Sequence, residues 1–505
     1  MSDRPNIVLI MADQLSPQFT GAYGHPLVKT PNIDALAARG ARFDAAYCNA
    51  PLCAPSRFSF MSGQLVTRIA AYDNASEFPA TVPTFAHYLR TAGYRTCLSG
   101  KMHFVGPDQL HGFEERVTTD IYPSDHAWTP DWELPDERID KWYHNMESVV
   151  EAGCAATTFQ IEYDEETAFF ARRKIFEYAM EKTLPYCMVV SFIHPHDPYV
   201  ARPEWWNLYS DDKIDMPDSD APADPHTTRV MKGIGADVVI PTDQEVRNAR
   251  RAYYANTSYF DSKVGEIVKA LEESRQLDNT VVIVTADHGD MLGERGLWYK
   301  MNFFEHSARV PFVVAGPGVK QGVIGEPVSL VDILPTFTEI GGVEAEMGMP
   351  IDGRSLWPLA TGAADDKPDE GEAIGEYCAE CASHPVFMIR RGRFKLIWCD
   401  VDPPQLYDVV ADPMEKVNLA SDPAHAETLA RFEAEVAERW DSEAIRQDVI
   451  ATQKQRRAVH AAMEAGMLTS WDYQPKRDAS QEFVRNHMDW TVAAEKTRFP
   501  PFQRK

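Results

Sequence analysis

The sequence predicts an α/β fold built on a large doubly wound sheet, mixed or parallel, that helices flank. Four short segments rich in apolar residues indicate buried strands of such a sheet: residues 7–12, 95–98, 186–193 and 280–285. Helical patterns lie between them, which favours a doubly wound order. Polar residues follow each strand at once. Ligands of open α/β sheets bind beyond the carboxyl ends of the strands, so these four ends predict one shared site.

The helices between the strands are predicted from cap and stop signals. The first follows Thr30, which can cap it with Pro31 at its first position, and it ends at Gly40. Three further helices are predicted, over residues 83–92, with a stop at Gly93, and over residues 165–182 and 245–273.

The pattern changes near residue 372. Residues 386–390 and 395–399, joined by a Gly-containing turn, predict an antiparallel hairpin, and a helix is expected near 424–443. Disordered tails are rarely as aromatic as the last segment, so we expect it to pack on the body or on a neighbouring subunit of a dimer or tetramer. The predicted units are an α/β domain (1–371), a small C-terminal subdomain (372–444) and a C-terminal extension that forms a homo-oligomer (445–505).

Composition indicates which partners, metal sites and targeting segments to expect. The chain has 505 residues, 44% of them hydrophobic, and a formal net charge of −26. Such an acidic protein repels nucleic acid and anionic membranes, and we expect neither as a partner. The eight cysteines include one Cys-x-x-Cys, Cys378 and Cys381, which lacks the second pair of a structural zinc site. The apolar run 7–12 is too short for an export signal or a membrane span, which favours a cytoplasmic protein with reduced cysteines.

The most informative motif is Cys53-Ala54-Pro55-Ser56-Arg57. A cysteine followed by x-Pro-Ser-Arg is the mark recognised by the enzymes that convert cysteine to formylglycine (3-oxoalanine). Hydrated formylglycine is a geminal diol: one hydroxyl can attack a sulfate ester, and the other can expel the sulfate as the aldehyde re-forms. The motif therefore predicts a modified nucleophile and a formylglycine-generating enzyme as the maturation partner.

Further segments accompany this motif in order along the chain. They are residues 5–14, 30–34, 62–63, 100–103, 285–290, 352–356, 405–408, 412–413 and 418–419. With them the chain resembles the type I sulfatases of the alkaline phosphatase superfamily, from residue 5 to about residue 420. The resemblance implies an alkaline phosphatase-like catalytic domain and hydrolysis of sulfuric esters.

The resemblance also implies one divalent metal ion, held by Asp13, Gln14, Asp287 and His288 together with the modified Cys53. The ion would polarise a sulfate oxygen and favour ionisation of the attacking diol. Most sulfatases carry Asp and Asn where this chain has Gln14 and His288, so Mn²⁺ suits the site better than it suits Asp-rich ones. Ca²⁺ is expected first, with Mn²⁺ or Mg²⁺ as alternatives. Taken singly, each residue would be an ordinary strand-end carboxylate or hydrogen-bonded histidine.

Three further side chains are assigned to the nucleophile and the sulfate by the same resemblance. Arg57, one helical turn after Cys53, is expected to hold the nucleophile and the charge beside the metal. Lys101 and His103 are expected to bind sulfate oxygens and the formylglycine hydroxyl. Asn74 resembles an asparagine that contacts sulfate in part of the superfamily, although an Asx turn explains it equally well.

The leaving group needs an acid. His196 and Lys300 are expected to flank it, and one of them would protonate the departing alkoxide. His194 is the alternative acid, but the His-x-Pro register favours His196.

Residues 101–113 and 293–301, with the long tail, resemble the choline-sulfatases. The implied substrate is choline-O-sulfate, hydrolysed to choline and sulfate. A trimethylammonium group needs aromatic faces and a nearby carboxylate. Trp128 and His144 match that subgroup, and Glu380 is the candidate carboxylate. A packing role on a loop is the alternative for Trp128.

Three rival functions stay open. A phosphonate monoester or phosphodiester hydrolase of the same superfamily shares the formylglycine, the metal ligands, Asn74 and Lys300. That branch carries hydroxyl side chains where this chain has Lys101 and His103. An arylsulfatase would need an apolar slot instead of a cation cage. A non-catalytic protein with unmodified Cys53 would bind sulfate esters without turning them over.

Overall fold

The computed structural model describes residues 4–135, 144–181, 184–483, 487–496 and 498–501. Its strands are β1 (Asn6–Asp13), β2 (Ala41–Phe43), β3 (Ala46–Tyr47), β4 (Arg95–Gly100), β5 (Glu115–Arg116), β6 (Gly153–Cys154), β7 (Tyr186–Pro195), β8 (Val200–Ala201), β9 (Thr280–Ala286), β10 (Phe312–Ala315), β11 (Gly322–Ile324), β12 (Val328–Ser329), β13 (Glu372–Tyr377), β14 (Val386–Arg391), β15 (Phe394–Trp398) and β16 (Gln405–Asp408).

Helices connect and cover these strands. They are α1 (Pro31–Arg39), α2 (Cys53–Ser62), α3 (Phe85–Thr91), α4 (Glu147–Val150), α5 (Phe159–Glu181), α6 (Pro203–Trp206), α7 (Pro225–Ile234), α8 (Asp243–Glu273), α9 (Glu305–Ala308), α10 (Ile333–Gly341), α11 (Trp357–Thr361), α12 (Ala426–Arg439), α13 (Ser442–Glu464), α14 (Ala479–Glu482) and α15 (Trp490–Lys496).

The central sheet has the strand order β11-β2-β10-β9-β1-β7-β4-β5. The four strands predicted from the sequence are neighbours in it and run parallel: β9, β1, β7 and β4. Strand β10 is antiparallel to both of its neighbours, so the sheet is mixed. Every residue of β1 is buried, as expected for a strand covered on both faces. The predicted fold class is confirmed, and the carboxyl ends of the four strands lie side by side.

Helices α1, α5 and α8 pack together against the sheet, and α2, α3 and α10 form a second group. The prediction that the Thr30 side chain caps α1 was wrong, because that side chain makes no hydrogen bond to the first backbone N–H groups of the helix. Thr30 does precede the helix, but its hydroxyl oxygen accepts the Gly21 N–H (2.8 Å), and the hydroxyl donates to the Asp34 carboxylate (2.9 Å). Helix α5 begins at Phe159, earlier than predicted.

A second sheet, β13-β14-β15-β16, is antiparallel throughout and contains the predicted hairpin. Its apolar face packs on α12 through Phe387, Leu396, Phe432 and Val436. Helix α13 was not predicted. It buries only three side chains, so its apolar periodicity is faint, and the Asp441 cap on the Ala444 N–H (3.0 Å) is its clearest signal.

None of the eight cysteines forms a disulfide bond. None of the helices in the described part of the chain combines the length and the apolar sequence that crossing a membrane requires.

Candidate active site

The site forms where the four parallel strands end. Asp13 is the last residue of β1, Lys101 follows β4, His196 follows β7 and Asp287 follows β9. All four side chains are buried. Helix α2 brings Cys53 to the same place, at its first residue.

Arg57 binds two carboxylates, one at the end of β1 and one directly after β9. Its Nε donates to Asp287 Oδ2 (2.8 Å), and a terminal nitrogen lies 3.3 Å from Asp13 Oδ2. The other terminal nitrogen donates to the Lys101 carbonyl (2.6 Å) and to Ser191 Oγ (2.9 Å). Burial alone would raise the pKa of Asp13, but the cations around it, Lys101 above all, hold that pKa well below its ordinary value. The Asp13 carboxylate is therefore kept ionised inside the protein.

Asp13, Cys53, Asp287 and His288 present ligand atoms within 4.8 Å of one another. These four residues are called the metal-binding group below. Cys53 Sγ lies 3.7 Å from Asp13 Oδ1 and 3.3 Å from His288 Nε2. His288 Nδ1 faces the Gly289 carbonyl (3.0 Å), which places the proton there and leaves the Nε2 lone pair facing the carboxylates. Burial lowers the pKa of His288 to about 4, so the imidazole is neutral. Two carboxylates and a neutral imidazole suit a divalent cation.

Gln14 borders this group with a fixed amide. Its backbone is left-handed (φ 64°), and its N–H donates to Asp287 Oδ1 (3.1 Å). Its Oε1 accepts from Lys300 Nζ (2.5 Å), and its Nε2 donates to Asp290 Oδ2 (2.8 Å). The structure brings Gln14 to the metal-binding group; its role as a ligand stays a prediction. Asp290, which orients the amide, was not among the residues predicted from the sequence.

His196 and Lys300 form a pair beside Asp13. Lys300 Nζ lies 2.9 Å from His196 Nε2, which is 3.9 Å from Asp13 Oδ1. Burial and then Lys300 lower the pKa of His196 well below its ordinary value. His194 is engaged elsewhere: its Nδ1 lies 2.6 Å from Asp164 Oδ2, and its ring packs on Tyr259. His196 therefore lies with Lys300 beside Asp13, whereas His194 does not, and the role of either histidine as the acid stays a prediction.

Lys101 and His103 both lie in the segment that follows strand β4. Lys101 pairs with the Asp13 carboxylate and lies over the Tyr122 ring (4.1 Å). The buried His103 ring lies 5.1 Å from the Tyr122 ring and 5.7 Å from the Trp128 ring, centroid to centroid. Within the described residues its ring nitrogens have no hydrogen-bond partner. Burial and Lys101 lower the pKa of His103 well below its ordinary value, so the ring is neutral.

Aromatic rings surround these two residues. Trp128 and Tyr122 meet edge to face at 5.2 Å, and Tyr122 lies 6.1 Å from His196. His144 stacks on His196 at 5.5 Å. Tyr122 was missed by the sequence analysis, because no spacing distinguishes it from the other tyrosines of the chain.

Asn74 and Glu380 are the remaining two residues predicted for the site. Asn74 Oδ1 accepts the Ala54 N–H (3.0 Å), next to Cys53, and the turn itself is made by Asp73, whose carboxylate accepts the Ala75 N–H (3.0 Å). Glu380 is 3% exposed, and neither of its carboxylate oxygens has a hydrogen-bond partner in the described part of the chain. Burial and then Asp73 raise the pKa of Glu380 to about 8. An unpaired buried carboxylate is costly, and such groups mark sites that receive a ligand.

Comparison with known proteins identifies the family. The profile described as Sulfatase matches residues 5–343, well over half of the chain. The chain belongs to the sulfatase family. The resemblance seen in the sequence is thereby confirmed. Two further profiles match this sulfatase: N-sulphoglucosamine sulphohydrolase, C-terminal, over residues 293–441, and choline sulfatase enzyme C terminal, over residues 447–499.

Individual relatives agree with that assignment. The choline-sulfatase of Rhizobium meliloti (strain 1021) is 47% identical over 98% of this sulfatase and 99% of its own length. Arylsulfatase K of Danio rerio is 31% identical, over 83% and 81% of the two chains. Among solved structures, the phosphonate monoester hydrolase of Agrobacterium radiobacter has a TM-score of 0.67 at 23% identity, over 88% of this chain and 96% of its own. That last similarity shows the shared fold.

Proposed function

We propose that this sulfatase hydrolyses choline-O-sulfate to choline and sulfate. The observation that carries the proposal is the buried Glu380 carboxyl group, which has no hydrogen-bond partner among the described residues and which a trimethylammonium group would satisfy once the carboxyl is ionised. Trp128 and Tyr122 supply aromatic faces beside Lys101 and His103. The relative named choline-sulfatase, 47% identical over nearly the whole chain, supports the same substrate.

We further propose that Cys53 is converted to formylglycine by a formylglycine-generating enzyme. The modified residue, as its diol, supplies one hydroxyl that attacks sulfur and a second that expels sulfate as the aldehyde re-forms. The structure holds the unmodified cysteine, and its Sγ, 3.7 Å from Asp13 Oδ1, supports the proposal. The Asp13, Gln14, Asp287 and His288 side chains would hold one divalent ion, Ca²⁺ first and Mn²⁺ or Mg²⁺ as alternatives, which would polarise a sulfate oxygen.

The chain's own residues perform the remaining steps. Lys101 and His103 bind sulfate oxygens, and Arg57 keeps the two carboxylates in place. When the sulfur–oxygen bond to choline breaks, the alkoxide takes a proton from the His196–Lys300 pair, whose nitrogens are 2.9 Å apart. Alkoxides leave poorly, so this proton is needed.

The deciding experiment compares substrates on purified enzyme. Choline-O-sulfate should be hydrolysed with a higher kcat/KM than 4-nitrophenyl sulfate, and both faster than a phosphodiester or a phosphonate monoester. Faster phosphodiester hydrolysis would favour the rival hydrolase, and preference for the aryl ester would favour an arylsulfatase. Mass spectrometry of the Cys53 peptide from the native organism tests the non-catalytic alternative, which requires unmodified cysteine.

Replacing Trp128 with Ala should weaken recognition of the cation. A desolvated cation–π contact is worth about 2 kcal/mol, so kcat/KM for choline-O-sulfate should fall roughly thirtyfold. An aryl sulfate has no cation, and its kcat/KM should fall far less. Steady-state kinetics on both esters measure the difference; equal losses would show that Trp128 supports the fold instead.

Glu380 should give the choline reaction its own pH dependence. The carboxylate attracts a cation only when it is ionised, and burial raises the pKa of Glu380 to about 8 in the free enzyme. The kcat/KM for choline-O-sulfate should therefore rise as pH increases through about 8; this rising part of the pH profile is the acid limb. Glu380→Gln should remove the acid limb and lower the value of kcat/KM reached at high pH. The control is the aryl ester, which should lack the limb in both enzymes. The same limb persisting in Glu380→Gln would contradict the assignment.

We propose that the C-terminal extension also forms a homo-oligomer, a dimer or tetramer. Its support is a set of large apolar side chains at least 58% exposed: Met467, Leu468, Phe483, Trp490 and Val492. Removing residues 476–505, which spares the contacts of Trp471 and Tyr473 with the body, should lower the mass measured by light scattering. An unchanged mass would remove the proposal. Location in the cytoplasm stays a prediction.

A further inference from the structure

Helix α13, in the C-terminal extension, makes hydrogen bonds to the segment that carries Trp128. Gln453 Oε1 accepts the Trp132 N–H (2.9 Å), and Arg457 donates to the Pro130 carbonyl (2.8 Å). Farther along the extension, the Asp472 carboxylate accepts the Ser124 hydroxyl (2.8 Å). The aromatic wall of the site is therefore held by contacts from the extension of the same chain.

Another residue of this helix, Arg456, contacts Asp73, the neighbour of Asn74 in the candidate active site. The Arg456 guanidinium makes paired bonds to the two Asp73 carboxylate oxygens, at 2.5 and 2.7 Å. Both residues are buried, Asp73 completely and Arg456 at 7% exposure. Arg456 also lies 3.5 Å from Thr129 Oγ1, one residue after Trp128. Asp73 builds the turn that holds Asn74 against the Ala54 N–H.

We propose that Arg456 is a positioning residue for the substrate's cation: it fixes the Asn74 turn against the Trp128 segment and neutralises Asp73 beside Glu380. This inference rests on the proposed function. Its distinctive consequence is electrostatic, because a structural brace would hold the loops without affecting the charge on Glu380.

The charges that act on Glu380 define that consequence. Within the described residues, Asp73 raises the pKa of Glu380, whereas Lys300 and Arg456 lower it. The Tyr377 hydroxyl donates to the Glu380 backbone carbonyl (2.7 Å) and leaves the carboxylate unbound. Removing Arg456 would leave Asp73 as an uncompensated buried anion near a second carboxyl. Like charges disfavour ionisation, so Glu380 would hold its proton to higher pH.

The test is the pH profile of kcat/KM for choline-O-sulfate in Arg456→Met, with 4-nitrophenyl sulfate as the second substrate. An uncompensated neighbouring charge shifts a carboxyl pKa by about one unit. The acid limb should move up by that amount. Neutral pH lies below the limb in both enzymes, where a rise of one pKa unit lowers the ionised fraction of Glu380 about tenfold, so kcat/KM there should fall about tenfold. The aryl ester should change much less. Arg456→Lys, which keeps the charge, should retain the wild-type limb.

Two variants separate charge from scaffolding. Asp73→Asn/Arg456→Met removes both charges and should return the limb close to its wild-type position. Arg457→Met removes a contact to the same segment without touching Asp73, and its limb should not move. If Arg456→Met does not fold, the same comparison is made between Asp73→Asn, whose limb should lie below that of the wild type, and the double variant.

Three outcomes overturn the inference: an unmoved limb in Arg456→Met, equal losses on both esters, or an equal shift in Arg457→Met. Failure of the proposed function looks different, because the wild-type enzyme would then show no preference for choline-O-sulfate over the aryl ester.

Discussion

The Cys53→Ala variant should lose turnover of all sulfate esters while keeping its fold. The alanine cannot be converted to formylglycine, so no diol is present to attack sulfur and then release sulfate. The fold should survive because the charges around residue 53 are held by other partners: Arg57 bonds both Asp13 and Asp287 without help from the sulfur. Alanine also suits the first turn of α2.

Turnover of choline-O-sulfate and the thermal unfolding midpoint, measured on the same preparation, check this result. Cys97→Ala is the matched control, since Cys97 is equally buried in β4 but lies outside the metal-binding group. It should cost stability and leave the rate nearly unchanged. Residual activity of Cys53→Ala within about tenfold of the wild type would end the formylglycine mechanism, because losing a covalent nucleophile costs far more.

The sequence was most informative where chemistry and sheet topology coincide. The strand ends at Asp13, Lys101, His196 and Asp287 were predicted to share one site because parallel neighbours end at one edge, and the structure places them there. Prediction failed where a contact depends on tertiary packing alone. Tyr122 and Arg456 belong to segments whose apolar residues show no strong periodicity. Only the folded chain shows that Arg456 contacts Asp73.

Replacing Lys101 or His103 with Ala should each lower kcat for sulfate ester hydrolysis by roughly 10²–10⁴, the range for lost charge stabilisation or acid–base groups. Both side chains lie in a buried, aromatic-walled site, where a charge or donor facing the sulfate acts without competition from water. The developing negative charge lies on sulfate oxygens in the transition state, so kcat should fall more than KM rises. Asp13 stays compensated in Lys101→Ala, since Arg57 remains 3.3 Å from it.

His111→Gln provides the control for these two variants. It is a buried histidine of the same segment, and its ring packs on Phe78 (4.4 Å) and Phe104 (4.5 Å), so its loss should affect stability and spare the rate. The decisive comparison adds a phosphodiester substrate, because the rival hydrolases carry hydroxyl side chains at the positions of Lys101 and His103. A sulfatase should lose sulfate hydrolysis in both variants and keep most of its weak phosphodiester activity. If phosphodiester hydrolysis fell as steeply as sulfate hydrolysis, Lys101 and His103 would serve the nucleophile in general and would not carry the preference for sulfate.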